Sequence, residues 1–181
     1  MINLLIPMAG KGSGFAAAGF KRPKPFIDVL GCTMIERVLD NLLCKDIKFI
    51  LIAQEEHIQA EEVLISKIKK DYQVEFIPIN QITEGAACTT LFAREYINNT
   101  NPLVIANSDQ IVDINFQDFI NDCLNRNLDG SIMTFKDPHR DTKWSFASID
   151  QDGLVKEVAE KKPISNQATV GIYMFAQGST Y

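Results

Sequence analysis

Three glycines, Gly10, Gly12 and Gly14, fall within five residues, directly after the apolar run Ile2–Ile6. Beyond them Pro23 and Pro25 bracket Lys24. A glycine-rich turn after a buried strand lets backbone N–H groups close around phosphate oxygens without interference from Cβ atoms. Lysine adds a compact point charge to such a cup, and the flanking prolines brace it. The chemistry this spacing offers is the grip of a nucleotide's phosphate tail, by residues 8–14 (Met8, Ala9, Gly10, Lys11, Gly12, Ser13, Gly14) together with Lys24.

Two familiar phosphate loops do not fit. The spacing of a Walker loop, G-x-x-x-x-G-K-[ST], is absent. A dinucleotide fingerprint would need glycine where Phe15 stands, and a helix opening there. The prolines of "KRPKPF" disfavour a helix over that stretch. An acid about 20 residues past the fingerprint is also missing, since Asp28 comes early and Glu36 belongs to a helix cap.

The elements that must position these residues read as alternating strands and helices. Ile2–Ile6, Phe49–Ala53, Val74–Ile79 and Leu103–Ala106 are apolar runs of strand length. Thr33 to Cys44 reads as a helix, opened by the capping box Thr33/Glu36 and apolar along Met34, Ile35, Val38, Leu39, Leu42 and Leu43. Gln54 to Lys70 and Ala86 to Ile97 read as further helices. Phe116, Phe119, Ile120, Cys123 and Leu124 recur at helical spacing. After Gly130, "SIMTF", "WSFASID", "LVKEVAE" and "ATVGIYMF" read as strands, with a hairpin turn at Asp152-Gly153. The expected class is α/β: three Rossmann-like layers on a mixed, mostly parallel central sheet. Ligands of such sheets bind outside the carboxyl ends of the parallel strands. The glycine loop after Ile6 and "NSDQ" (107–110) after Ala106 both fall there.

Composition sets outer limits. A chain of 181 residues, 46% hydrophobic and 23% charged, fits one domain over 1–181 with ample material for a core. A net charge of -5 argues against nucleic acid as a partner. No apolar run approaches the ~20 residues that cross a bilayer, and the N-terminus lacks the pattern of a secretory signal, so the expected location is cytoplasmic and away from membranes. Cys32, Cys44, Cys88 and Cys123 are dispersed and read as reduced thiols. His57 and His139 have no partners at ligand spacing and read as surface residues.

In order along the chain, "MAGKGSGF", "PKPFIDV" and "GCTMIERVLDNL" resemble the N-terminal signature of the bacterial sugar-phosphate nucleotidyltransferases. "GAACT" (85–89), "NSDQ", "WSF" (144–146) and "EKKPIS" (160–165) are similar to a subgroup tied to capsule polysaccharide biosynthesis, whose fold is GT-A-like. The resemblance runs from Ile2 to about Ser179.

The resemblance implies transfer of a nucleotidyl group from an NTP to a small phosphorylated acceptor, with pyrophosphate released. It implies Mg²⁺ on Asp109, nucleobase contact at Gly85 and Ala86, and nucleotide contact at Ser108. Lys24, Asp109 and Lys161 are the implied catalytic groups, with Lys161 on the acceptor phosphate and Glu160 on a hydroxyl. Gly171 is grouped with that acceptor side. Trp144 reads equally as a cover for the acceptor or as a core anchor. CTP, then UTP, is the implied nucleotide, and self-association stays open. A GT-A glycosyltransferase and a non-catalytic nucleotide or nucleotide-sugar binder are the other readings. Two departures from the pattern stand out. The family carries arginine where this chain has Gly14, leaving Lys11, Lys21 or Arg22 to substitute. Family members also run on past Tyr181, so the expectation is a domain lacking its C-terminal part and a second acidic metal ligand.

Overall fold

A computed structural model describes residues 1–181. Its central sheet is built on four parallel strands in the order β5 (Val74–Ile79), β4 (Ile47–Gln54), β1 (Ile2–Pro7) and β6 (Leu103–Ala106). Leu4, Leu5 and Ile6 of β1 are fully buried, as expected of a strand covered on both faces. Alternation along β1 separates two cores. Leu4 and Ile6 enter a 25-residue cluster, under α2 (Met34–Asn41), α4 (Glu62–Asp71) and α7 (Phe116–Asn125). Leu5 enters an eight-residue cluster on the other face, with Ala93 and Ile97 of the segment formed by α5 (Ala86–Thr90), a 3-10 turn and α6 (Arg94–Ile97). The result is three layers, with the larger core under the longer helices.

The rest of the sheet is antiparallel. β10 (Gln167–Phe175) pairs β6 through Ile172–Phe175 and β7 (Gly130–Lys136) along its other edge. Above the end of β6, Ala168 pairs Phe146 of β8 (Phe146–Ile149), which forms a hairpin with β9 (Val155–Ala159). Gly153, at φ 77, makes that hairpin's turn. The mixed α/β sheet expected from the sequence is therefore present, but it is not mostly parallel: the strands from Gly130 on all pair antiparallel and make up half of it.

Several local expectations change. Gln54 closes β4 opposite Ile79 and at the same time caps the helix that starts at Glu55. The helix that follows is broken at Glu61 into α3 (Glu55–Ala60) and α4; the Glu61 carboxylate takes the Arg22 guanidinium. The Ala86–Ile97 helix is three short pieces. The stretch before Phe26 is more helical than its prolines suggested. A turn of helix, α1 (Ser13–Ala17), occupies the glycine loop, and Lys24–Phe26 is a single 3-10 turn with a proline inside it. Pro25 is tolerated because the first turn of a helix has no use for its missing N–H. Residues 28–33 form the two-stranded ribbon of β2 (Asp28–Val29) and β3 (Cys32–Thr33). Leu43 and Leu124, placed on apolar helix faces by their spacing, are exposed. His57 is half-buried and not on the open surface.

The candidate nucleotide site

Three clefts open at the carboxyl ends of the parallel strands, and Gly10 lines all of them. The first, of about 230 Å³, holds Met8, Gly12, Lys24, Ser108 and Asp109. The second, about 190 Å³, holds Ala9, Thr83, Gly85, Ala86 and Thr89. The third, about 590 Å³, holds Lys11, Gln54, His57, Asn80 and Ile82. Topology explains the meeting. β1 ends at Pro7, β4 at Gln54, β5 at Ile79 and β6 at Ala106, side by side along one sheet edge.

Within the first cleft the Lys24 ammonium donates to the Asp109 carboxylate. Lys24 also lies over the Phe15 ring, 5.4 Å from its centroid, an attraction between a cation and the negative face of an aromatic ring. The glycine loop reaches this pair through Gly12. Its φ of 56 is left-handed, and a Cβ there would stand 3.2 Å from Lys24 Cβ. Gly12 is therefore required both by its angle and by its passage over Lys24. Gly10 and Gly14 meet no such restriction, since nothing lies within 4 Å of a Cβ built at either.

The "NSDQ" loop is held from two sides. Asn107 Nδ2 donates to Gln110 Oε1 at 2.9 Å, beneath Gly171 in β10. Gly171 has φ 80, and a Cβ on it would fall 2.1 Å from Asn107 Nδ2. Farther along, Asn41 at the end of α2 exchanges two bonds with Val112, at 2.8 and 2.9 Å. Gly171 thus sits against the loop that carries Asp109.

Around Gly85, Thr83 Oγ1 and Thr89 Oγ1 both donate to the Gly85 carbonyl, at 3.2 and 3.1 Å. The Gly85 backbone is extended, and no atom lies within 4 Å of a built Cβ, so open space borders it. Flat ligand surface can approach the backbone there.

Of the residues expected to contact nucleotide, Met8, Ala9, Gly10, Lys11, Gly12, Lys24, Gly85, Ala86, Ser108 and Asp109 line one or more of the clefts. Ser13 and Gly14 line none of the three. The acceptor-side residues stand apart. Lys161 has a left-handed backbone (φ 52), is well exposed and lies 3.7 Å from Glu160. Neither of them lines these clefts. Trp144 packs edge-on against Phe135, with ring centroids 5.3 Å apart, and carries the Lys143 ammonium at 4.9 Å. That packing is the anchor alternative. Of the three cations offered as substitutes at Gly14, Arg22 is committed to Glu61 and Lys21 lines none of the clefts. Lys11 alone lies in the site.

In the cleft of Lys24 a metal has one carboxylate to hold, that of Asp109. No three His, Cys, Asp or Glu side chains gather anywhere in the chain as a ready cage. Asp109 and the Ser108 hydroxyl are hard oxygen donors, which suits Mg²⁺ arriving with phosphate oxygens and water as its other ligands. Lys24 occupies one carboxylate oxygen of Asp109, and a metal that takes both would displace it. Both side chains are about one-third exposed or less (27% and 33%), and such a pair contributes only about 0–1 kcal/mol, so the exchange is easy.

Comparison with known proteins decides the family. The nucleotidyl transferase family model matches residues 5–180. The chain belongs to that family. Members share 25% identity (Bifunctional protein GlmU of Methanococcus aeolicus, over 96% of this chain and 40% of the relative) and 24% (Mannose-1-phosphate guanylyltransferase catalytic subunit beta of Drosophila melanogaster, over 94% and 47%). The chain spans less than half the length of these curated relatives. Among solved structures, a nucleoside-diphosphate-sugar pyrophosphorylase from Vibrio cholerae superposes with a TM-score of 0.72 at 23% identity, over 96% of this chain and 73% of that one. At that identity the likeness speaks for the fold. No helix is long and apolar enough to cross a membrane.

Proposed function

We propose that the chain is a nucleotidyltransferase, moving a nucleotidyl group from an NTP to a sugar phosphate or another small phosphorylated acceptor. The observation that carries the reading is Lys24 and Asp109 facing each other in a cleft roofed by the glycine loop. An acceptor phosphate oxygen attacks the α-phosphorus in line. A new O–P bond forms, the bond to the bridging α–β oxygen breaks, and that oxygen leaves with pyrophosphate. The acceptor is already an anion at neutral pH, so no protein nucleophile is needed.

Catalysis is then the pairing of two polyanions and the neutralisation of charge as it develops. Lys24 exchanges Asp109 for a phosphate oxygen, the loop backbone at Gly10 and Gly12 approaches the phosphates, and Gly85 borders the base. Magnesium held by Asp109 would supply further positive charge to the phosphate oxygens. Lys161, on an exposed side chain, would have to fold inward to hold the acceptor's phosphate.

The subgroup motifs support CTP, then UTP, as donor and a role in capsule or surface polysaccharide synthesis. The test is pyrophosphate release from each NTP with Mg²⁺ and a panel of sugar phosphates and other small phosphates. Release with one pair is expected; none from any pair contradicts the reading. A second reading, a binding protein without turnover, is favoured by Gly14 together with the engagement of Arg22 by Glu61. It predicts nucleotide binding with no pyrophosphate.

A further inference from the structure

Gln54 ends β4 with only 8% of its surface exposed. Its carboxamide nitrogen donates to the Ala9 carbonyl at 2.9 Å and to the Gln81 carbonyl at 3.2 Å. Both partners are acceptors, so the NH₂ end of the amide must face them. Ala9 belongs to the glycine loop, and Gln81 to the loop that leads into Gly85. No other hydrogen bond joins these two loops.

The position is equally specific. Gln54 lies on the floor of the largest cleft, and that cleft shares Ala9, Gly10 and Ile82 with the one beneath Gly85. Both carbonyls are held by one nearly buried group at a strand end. A ligand that touches only one loop is indifferent to the distance between them. A ligand that spans both depends on it, because its second contact is made at an effective concentration set by that distance.

We infer that Gln54 is a positioning residue that sets the spacing between the phosphate-gripping loop and the base-bordering loop, so that a nucleoside triphosphate engages both together. This rests on the nucleotide reading above. Gln54 itself touches no reacting atom. Its removal leaves each half of the site intact and uncouples them.

Titration calorimetry with Mg²⁺ tests this on the full chain, comparing the parent with Gln54→Met and Gln54→Glu. The ligands are the tightest-binding of the four NTPs and inorganic tripolyphosphate, which reaches the phosphate loop alone. Gln54→Glu keeps the side chain's shape while setting a third acceptor against two carbonyls, so it serves if the methionine variant does not fold. The variants are expected to bind the NTP about ten-fold more weakly, as loss of two ordinary hydrogen bonds allows, and tripolyphosphate as the parent does. Unchanged NTP binding, equal weakening of both ligands, or failure of the parent to bind tripolyphosphate overturns the inference. A folded parent that binds none of the four NTPs overturns the nucleotide reading beneath it, a result distinct from those three.

Discussion

The Lys24 ammonium donates to the Asp109 carboxylate across 85 positions of sequence, joining the 3-10 turn at Lys24–Phe26 to the loop that follows β6. Each charge is the other's partner only until something better arrives. A triphosphate offers Lys24 several oxygens, and a magnesium ion offers Asp109 a higher charge. The pair is a resting arrangement of the two groups that a nucleotide and its metal would separate. Lys24→Ala should lower kcat/KM for pyrophosphate release on the order of 100-fold while leaving the melting temperature near that of the parent. Lys24→Arg should recover little, because Gly12 passes close over the Lys24 stem and a planar guanidinium is not a point charge.

Asp109→Asn keeps the shape of the side chain and removes its charge. It should raise the Mg²⁺ concentration needed for half-maximal pyrophosphate release by about ten-fold or more, with fold stability unchanged to within about 1 kcal/mol. A Mg²⁺ titration of activity in parent and variant checks this. An unaltered dependence would remove Asp109 from the metal's shell.

Gly171 holds a left-handed angle directly over Asn107. Gly171→Ala should therefore push the 107–110 loop away, costing about 1–3 kcal/mol in thermal unfolding and weakening NTP binding. Gly10→Ala, with open space around it and no positive φ, is the matched control and should cost less than about 1 kcal/mol in unfolding.

Glu36 is buried, which pushes its carboxyl pKa up. Hydrogen bonds from Lys67 and from the Thr33 hydroxyl and backbone more than offset this and leave the pKa below the ordinary 4.5. The folded carboxyl therefore binds a proton less readily than the unfolded one. Its stabilisation is complete above 4.5 and drains away as pH falls through the lower folded value. Glu36→Gln should be about 1–2 kcal/mol less stable than the parent near pH 7, and the gap should close as the pH falls below 4.5 and through the lower folded value. Denaturant melts at a series of pH values measure it.

Gly14 has room for a side chain and an ordinary backbone angle. Gly14→Arg would place a guanidinium in the glycine loop, where only Lys11 is otherwise free to serve. An increase in kcat/KM of about ten-fold is expected, since charge-assisted bonds to phosphate are strong. A rise from zero to measurable turnover would favour the binding-protein reading of the natural chain.

Much of the frame was legible because burial leaves a plain mark on sequence. Ile2–Ile6 and Phe49–Ala53 read as strands since a parallel strand is covered on both faces and so is apolar throughout. Thr33 and Glu36 announced a helix start through a purely local pairing, which is present. Gln54 shows where this stops. By pattern it opens a helix, and it does cap the one from Glu55, but it also closes β4, and its amide answers to Ala9 and Gln81, which no local pattern shows. Asn41, which holds Val112 across 71 positions, left no local signal either. The same holds for Lys67, which reaches Glu36 from another helix. At the site, glycine spacing and proline bracketing pointed to Lys24 and its loop. That Gly12 alone of the three glycines touches Lys24 depends on the fold.

The most direct test is a crystal structure of the chain with an NTP and Mg²⁺. The account predicts phosphates against residues 10–12, the Lys24 ammonium moved from Asp109 onto a phosphate oxygen, the metal on Asp109 and the base beside Gly85. A nucleotide bound away from the end of β1, with the Lys24–Asp109 pair unbroken, would contradict it.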